Sequence, residues 1–342
     1  MTADGLRGAA RRVSLAWGPM HTFALLALLA AGMGFLPFVK MSLVVNGVVL
    51  ASIIALGAIG LTLIYGILNF ANIAHGDYMT LGAYVALFFA GTLLPSFGAE
   101  GGGIGPFTFG YPLLVALPLS IAAVAALAVA LDALLYRRLR ERGVNAVLIS
   151  MASLGVAIGL RGLVQMLWSG DVQRLPRESR EVWHLPMDVR VPPDSLFIAA
   201  VAIVLVAATY LVLSRTKMGK AMRATADNPD LALVSGISTQ RVIRWTWVMG
   251  AALAATAGVL LAVFQANIIP IMGWKFLIPL FAAVILGGIG SPYGALAGAF
   301  IIGVTMEVST QWINPSYKPA AAFALMLLML LMRPRGLFGS RQ

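Results

Sequence analysis

The sequence predicts an all-α, polytopic transmembrane helix bundle of about 8–10 spans. Three observations carry this. Its 342 residues are 60% hydrophobic and only 11% charged, where a soluble domain carries about a quarter charged residues. Several runs reach the roughly 20 apolar residues that cross ~30 Å of hydrocarbon at 1.5 Å per residue. The runs are continuously apolar rather than alternating, which argues against a β-barrel, and in lipid each helix satisfies its own backbone groups.

Ten runs qualify: residues 20–39, 43–65, 77–95, 112–135, 144–168, 196–213, 243–264, 276–290, 293–312 and 319–332. Arg7, Arg11 and Arg12 precede the first. That start resembles a signal peptide, but the run is too long and has no clean small-x-small cleavage site, so it reads as a retained span. The eighth and last runs are short. The organisation is therefore an N-terminal segment 1–19, a membrane domain 20–332 interrupted by a polar loop 214–242, and a tail 333–342.

The net charge is +11. Its basic residues gather at the ends of apolar runs, which points to membrane orientation rather than to nucleic acid. With the N-terminus inside, inner segments hold Arg7, Arg11, Arg12, Arg137, Arg138, Arg140, Arg142, Arg215, Lys217, Lys220, Arg223, Arg241, Arg333, Arg335 and Arg341. Outer segments hold fewer: Lys40, Arg174, Arg177, Arg180, Arg190, Lys275 and Lys318. Both termini are thus expected in the cytoplasm. Asp132 lies near the inner interface, solvated or paired. Arg161, inside a span, is expected to extend its charged head toward the outer surface. Trp168, Trp183, Trp245 and Trp312 near span ends read as interfacial anchors.

Three loops stand out. Residues 96–111 form a glycine-rich outer loop. Residues 169–195 form a longer outer loop of mixed charge, large enough to fold over that face and meet a partner. Residues 214–242 are the most informative. Met218, Ala221, Met222 and Thr225 share one helical face, and Lys217, Lys220 and Arg223 lie mostly elsewhere, which suits a basic amphipathic helix at the membrane surface. Asn228 is a good N-cap and Pro229 fits the first helical position. Asp230 complements the helix dipole, and Gly236 fits the C′ position. Residues 229–235 therefore read as a short helix capped at both ends, a knob that a protein partner could grip.

Asp230-Leu231-Ala232-Leu233-Val234-Ser235-Gly236 resembles the Glu-Ala-Ala-x-x-x-Gly loop of ABC importer permeases, with Asp230, Ala232 and Gly236 on the motif and Leu231 departing at the first alanine. The surrounding KMGKAMRATADNPDLALVSGIS is similar to the branched-chain amino-acid version. LTLIYGILNFANIAHGDYMTLGAY (61–84) is similar to the LivH-type subunit and less like its LivM-type partner; VILGGIGSPYGALAGAF (284–300) and RPRGLFG (333–339) also match. The resemblance covers roughly 42–339. It implies an inner-membrane permease subunit, coupled through Gly219, Arg223, Asp230, Ala232 and Gly236 to two cytoplasmic ABC ATPases. It also implies a related second permease in a hetero-dimer, an extracytoplasmic solute-binding protein, and branched-chain amino acids as solute, with urea or short amides as alternatives. ATP would be bound by the partner subunits, so no cofactor is expected.

Polar residues at membrane depth are functional candidates because each is costly in lipid. Asn69, Asn72, His75 and Asp77 cluster between the second and third spans. They admit two readings: a broken helix lining a solute pathway, or a cytoplasmic turn with a helix N-cap. Glu307 is either a pathway residue or one near the outer interface. Gly287-Gly288-Ile289-Gly290-Ser291-Pro292 is either a tight turn or a hinge, and Gly294 and Gly298 form a small-xxx-small packing pattern.

The sequence contains no G-x-x-x-x-G-K-[ST] loop, no H-E-x-x-H and no G-x-S-x-G elbow, so enzymatic chemistry and a metal are not expected. There is no cysteine. The alternative from another class is an ion-coupled secondary transporter or channel. It would usually place more ionisable residues mid-membrane than this chain has.

Overall fold

The computed structural model describes residues 40–98, 102–178, 182–185, 189–333 and 336–338. The expected segment 1–19 and first span 20–39 lie outside the described residues. Each of the nine later runs forms a helix. These are α1 (Met41–Leu68), α2 (His75–Ser96), α3 (Tyr111–Glu141), α4 (Ala146–Trp168), α5 (Asp194–Arg215), α8 (Thr239–Gln265), α9 (Met272–Gly287), α10 (Pro292–Ser309) and α11 (Lys318–Met332). The polar loop supplies two more, α6 (Lys217–Asp227) and α7 (Pro229–Val234). Among the described residues eight helices are long and apolar enough to span a membrane, counting α11 with its preceding turn from Pro315; α9 is apolar but shorter.

Apolarity alone does not say which helices sit in the middle; burial does. The most apolar stretch of α1 is 94% buried and that of α8 78%, against 22% for α5 and 11% for α11. α1 and α8 pack on each other, α10 covers α1, and α3 covers α8. α4, α5 and α11 form the periphery. The only strands among the described residues that pair in a sheet form a hairpin, β1 (Trp183–Leu185) with β2 (Val189–Val191). The loop before it is tied to the chain after α8 by a bridge between Gln173 and Ile268.

The central helices repeat one device. α1 ends on Asn69 in the left-handed region (φ 55°) and α8 on Ala266 (φ 64°). Each is followed by non-helical chain, residues 69–74 and 266–271, before α2 or α9 begins. The second residue of each new helix is a glycine, Gly76 or Gly273, and the two meet. A Cβ on Gly76 would collide with the Gly273 carbonyl, and one on Gly273 with the Gly76 carbonyl. The two backbones therefore cross here at a distance that only glycine allows.

Candidate functional site

The first site is the start of α2. The His75 ring nitrogen Nε2 lies 2.9 Å from the Gly57 carbonyl oxygen. Gly57 precedes Leu68, the end of α1, by eleven residues, about 16 Å of helix. The chain therefore leaves α1, turns back, and runs alongside it to roughly mid-depth before α2 starts. Its exposed peptide groups need partners there, and α4 supplies them: Ala71 N–H donates to Ser150 Oγ at 3.1 Å and Ile73 N–H to Ser153 Oγ at 2.9 Å. The cluster thus sits on a buried break between α1 and α2, beside the middle of α1. No side chain caps α2.

Asn69 is exposed at the turn, whereas Asn72, His75 and Asp77 are at most 1% exposed. In this conformation these three are sealed inside protein. Phe70, Tyr78, Tyr136 and Trp247 pack together below them, with Tyr136 stacked on Trp247 at 5.0 Å and Phe70 5.5 Å from Tyr136. The Asn72 amide has no hydrogen-bond partner on either atom.

Asp77 corrects the expectation for Arg161. The arginine does not extend to the outer surface. Its Nη2 lies 3.2 Å from Asp77 Oδ2, and its guanidinium sits 4.7 Å from the Trp274 ring centroid. Asp77 and Trp274 are the third residues of α2 and α9, so one arginine on α4 bridges the two helix starts. No sequence pattern marks this pairing, because Asp77 and Arg161 are far apart in the chain.

Glu307, in the last turn of α10, is 5% exposed and accepts from Lys318 Nζ at 2.6 Å. The pair borders a cavity of about 310 Å³ that Lys275 also lines. Asp132 is paired, with Arg140 at 2.7 Å. Gly288 and Gly290 both have positive φ and form the turn into α10, where Gly290 N–H donates to Thr62 Oγ1 at 3.0 Å. Pro292 opens α10. Gly294 lies against the Gly287 backbone and Gly298 against Ala283, so the small-xxx-small pattern is a packing face between α9 and α10. The tail closes this corner, with Leu337 and Phe338 N–H donating to the Leu286 and Gly287 carbonyls at 2.8 and 2.9 Å.

The second site is the α6–α7 segment. Thr216 caps α6 through Gly219 N–H at 3.0 Å. Gly219 is buried against the Val212 and Leu213 carbonyls, and Arg223 Nη1 donates to the Leu213 carbonyl at 3.0 Å, so both hold α6 to the end of α5. Asn228 caps α7 by accepting from Leu231 N–H at 2.9 Å. Ile237 N–H donates to the Ala232 carbonyl and Gly236 N–H to Leu233, both at 3.0 Å, with Gly236 at φ 84°. That is the six-to-one and five-to-two pattern of a left-handed helix stop.

Asp230 is exposed in the first turn and Ala232 is buried. The residues that α7 presents outward are Leu231, Leu233 and Val234, 64%, 58% and 85% exposed. Reading the motif positions alone missed this apolar tip. The exposure of three large apolar residues on so short a helix marks a contact surface. Among the described residues no group of three His, Asp or Glu is placed to hold a metal.

A bundle of helices long and apolar enough to span a membrane, with buried non-helical connectors and a separate apolar-tipped short helix, is built as the membrane part of a transporter. Comparison with known proteins gives the family. The family described as branched-chain amino acid transport system / permease component matches residues 43–331, and the chain belongs to it. The chain is 33% identical over 305 residues to the high-affinity branched-chain amino acid transport system permease protein BraD of Pseudomonas aeruginosa, covering 86% of this chain and 94% of that one. It is 34% identical over 300 residues to LivH of Escherichia coli K12, with the same coverage. To LivM of Escherichia coli K12 it is 29% identical over 147 residues, 42% of this chain and 34% of that one.

Proposed function

We propose that the chain is the transmembrane permease subunit of an ABC importer that carries branched-chain amino acids across the bacterial inner membrane, both termini cytoplasmic. Two cytoplasmic ATPases supply the energy, and α7 is the element they grip. A related second permease completes a hetero-dimeric pore, for which the weaker, partial likeness to LivM is the support. An extracytoplasmic binding protein delivers the solute.

The observation that carries the reading is α7 itself. It is a rigid six-residue helix, stopped at both ends, and its outward face is apolar. It is joined to the bundle through α6, which is fixed to α5 by Gly219 and Arg223. A push on α7 is therefore delivered to α5 and α8 rather than absorbed in a flexible linker. Solute movement then requires the helix starts at Gly76 and Gly273 to part, and the two states must differ in their contacts to do so.

The test uses the absence of cysteine. Single cysteines at Leu231, Leu233 and Val234 are expected to cross-link to co-expressed ATPase in inside-out vesicles, whereas Tyr111→Cys is not. Absence of cross-links from all three α7 positions, with the assembly intact, would refute the coupling role.

A further inference from the structure

A groove on the bundle has no part in the transport cycle proposed above. It lies between α1, α5 and α10, has a volume of about 490 Å³, and is lined by Ala55, Ile59, Val206, Ala207, Leu296 and Phe300 among others, almost all apolar. On α5 its lining runs from Ala202 to Leu213, eleven residues or about 16 Å. That is about half of a ~30 Å hydrocarbon core, one leaflet deep.

One end of it meets a charged side chain. A smaller cavity of about 110 Å³ shares Leu213, Pro292 and Tyr293 with the groove and is lined by Met222 and Arg223 of α6. Tyr210 and Tyr293 meet edge to face at 5.8 Å beside it, both about half exposed, as aromatic residues at a membrane interface are. Arg215, Lys217, Lys220 and Arg223 are all exposed at this end of α5 and along α6. No acidic side chain lines either cavity among the described residues.

We propose that this groove and its basic mouth form a binding site for one anionic phospholipid, an acyl chain lying along α5 and α10 and the phosphate facing Lys220 and Arg223. Charge complementarity selects the occupant. An apolar slot of one leaflet's depth takes any acyl chain, but a mouth lined by Arg223, with Lys217 and Lys220 exposed on the same helix and no acid among its lining residues, favours a headgroup of net negative charge. Basic pockets between transmembrane helices bind such headgroups. The site needs only that α6 lie at a membrane surface, and is independent of the solute and of the energy source. Because α6 leads directly into α7, the lipid would brace the segment that meets the partner.

Native mass spectrometry of the full chain tests it. The protein, purified in mild detergent, is exchanged with phosphatidylglycerol and with phosphatidylcholine of identical acyl chains. Phosphatidylglycerol is expected to stay bound and phosphatidylcholine to be lost. Lys220→Ala and Arg223→Ala should each weaken retention about 5-fold. Arg223→Lys should restore most of it, and Lys275→Ala, in another cavity, should change nothing. Ala207→Trp should fill the slot and abolish retention. Equal retention of the two lipids overturns the proposal, and so does retention indifferent to either the cation or the Ala207 variants, each decisive alone if the other does not fold. A disulfide between Ala207→Cys and Ala30→Cys would show that the chain's own segment 20–39 fills the groove, and would overturn it too.

Discussion

Removing Arg161 should destabilise the bundle more than removing Asp77, and removing both should restore most of the loss. Arg161→Met leaves the Asp77 carboxyl, 1% exposed in its side chain, buried without its partner. Breaking a buried pair from one side costs about 3–5 kcal/mol. Asp77→Asn leaves an arginine whose side chain is 20% exposed and still lies over Trp274, a contact worth about 0.5–1 kcal/mol at an exposed site and more when desolvated. Its cost should be nearer 1–2 kcal/mol. The double variant replaces the pair by neutral groups of similar size, which is often close to neutral. The coupling energy should then be at least about 2 kcal/mol, roughly 30-fold in the unfolding constant. Reversible unfolding of the four proteins in mixed detergent micelles measures it. Additive losses, within about 0.5 kcal/mol, would show that Asp77 and Arg161 do not act as a pair. A costlier Asp77→Asn than Arg161→Met would show that burial does not set the asymmetry.

Gly273→Ala should lower thermal stability and uptake together, because its methyl meets the Gly76 carbonyl, whereas Gly155→Ala, with nothing within 4 Å, should leave unfolding of the isolated chain unchanged. Gly236→Leu should uncouple transport while the bundle still assembles, since a left-handed residue with a side chain costs about 1–2 kcal/mol; ATPase cross-linking from Leu233→Cys in that background reads the loss, and normal uptake would refute it. Ser153→Ala should destabilise by about 1–3 kcal/mol by orphaning the Ile73 N–H in the connector, visible as a lower melting temperature, and Ser169→Ala at the α4 end should not.

The bundle was legible because lipid imposes one requirement on every span, a continuous apolar run long enough to cross. The capped knob was legible because caps are local: Asn228, Pro229 and Gly236 each act within a few residues. The start of α2 was half legible. The polar run from Asn69 to Asp77 marked a break, but hydropathy is the same whether the chain turns at the surface or folds back to mid-depth. Only the His75 to Gly57 contact places it. The crossing of the two helix starts was hidden, since over residues 69–84 and 266–281 the paired sequences coincide only at Gly76 and Gly273; the geometry needs a glycine at the crossing and little else in common. Arg161 was misplaced because an isolated arginine near one end of a span has an easy route to water, and its partner Asp77 is brought to it only by tertiary structure.

The most direct test of ATP-driven transport through α7 is uptake of labelled leucine by proteoliposomes holding the complete complex, with and without hydrolysable ATP on the α7 side. Accumulation is expected only with ATP, and Leu233→Asp with Val234→Asp should abolish it while the membrane bundle keeps its melting temperature. Leucine accumulating in vesicles that contain no ATPase, driven by an ion gradient, would contradict the account.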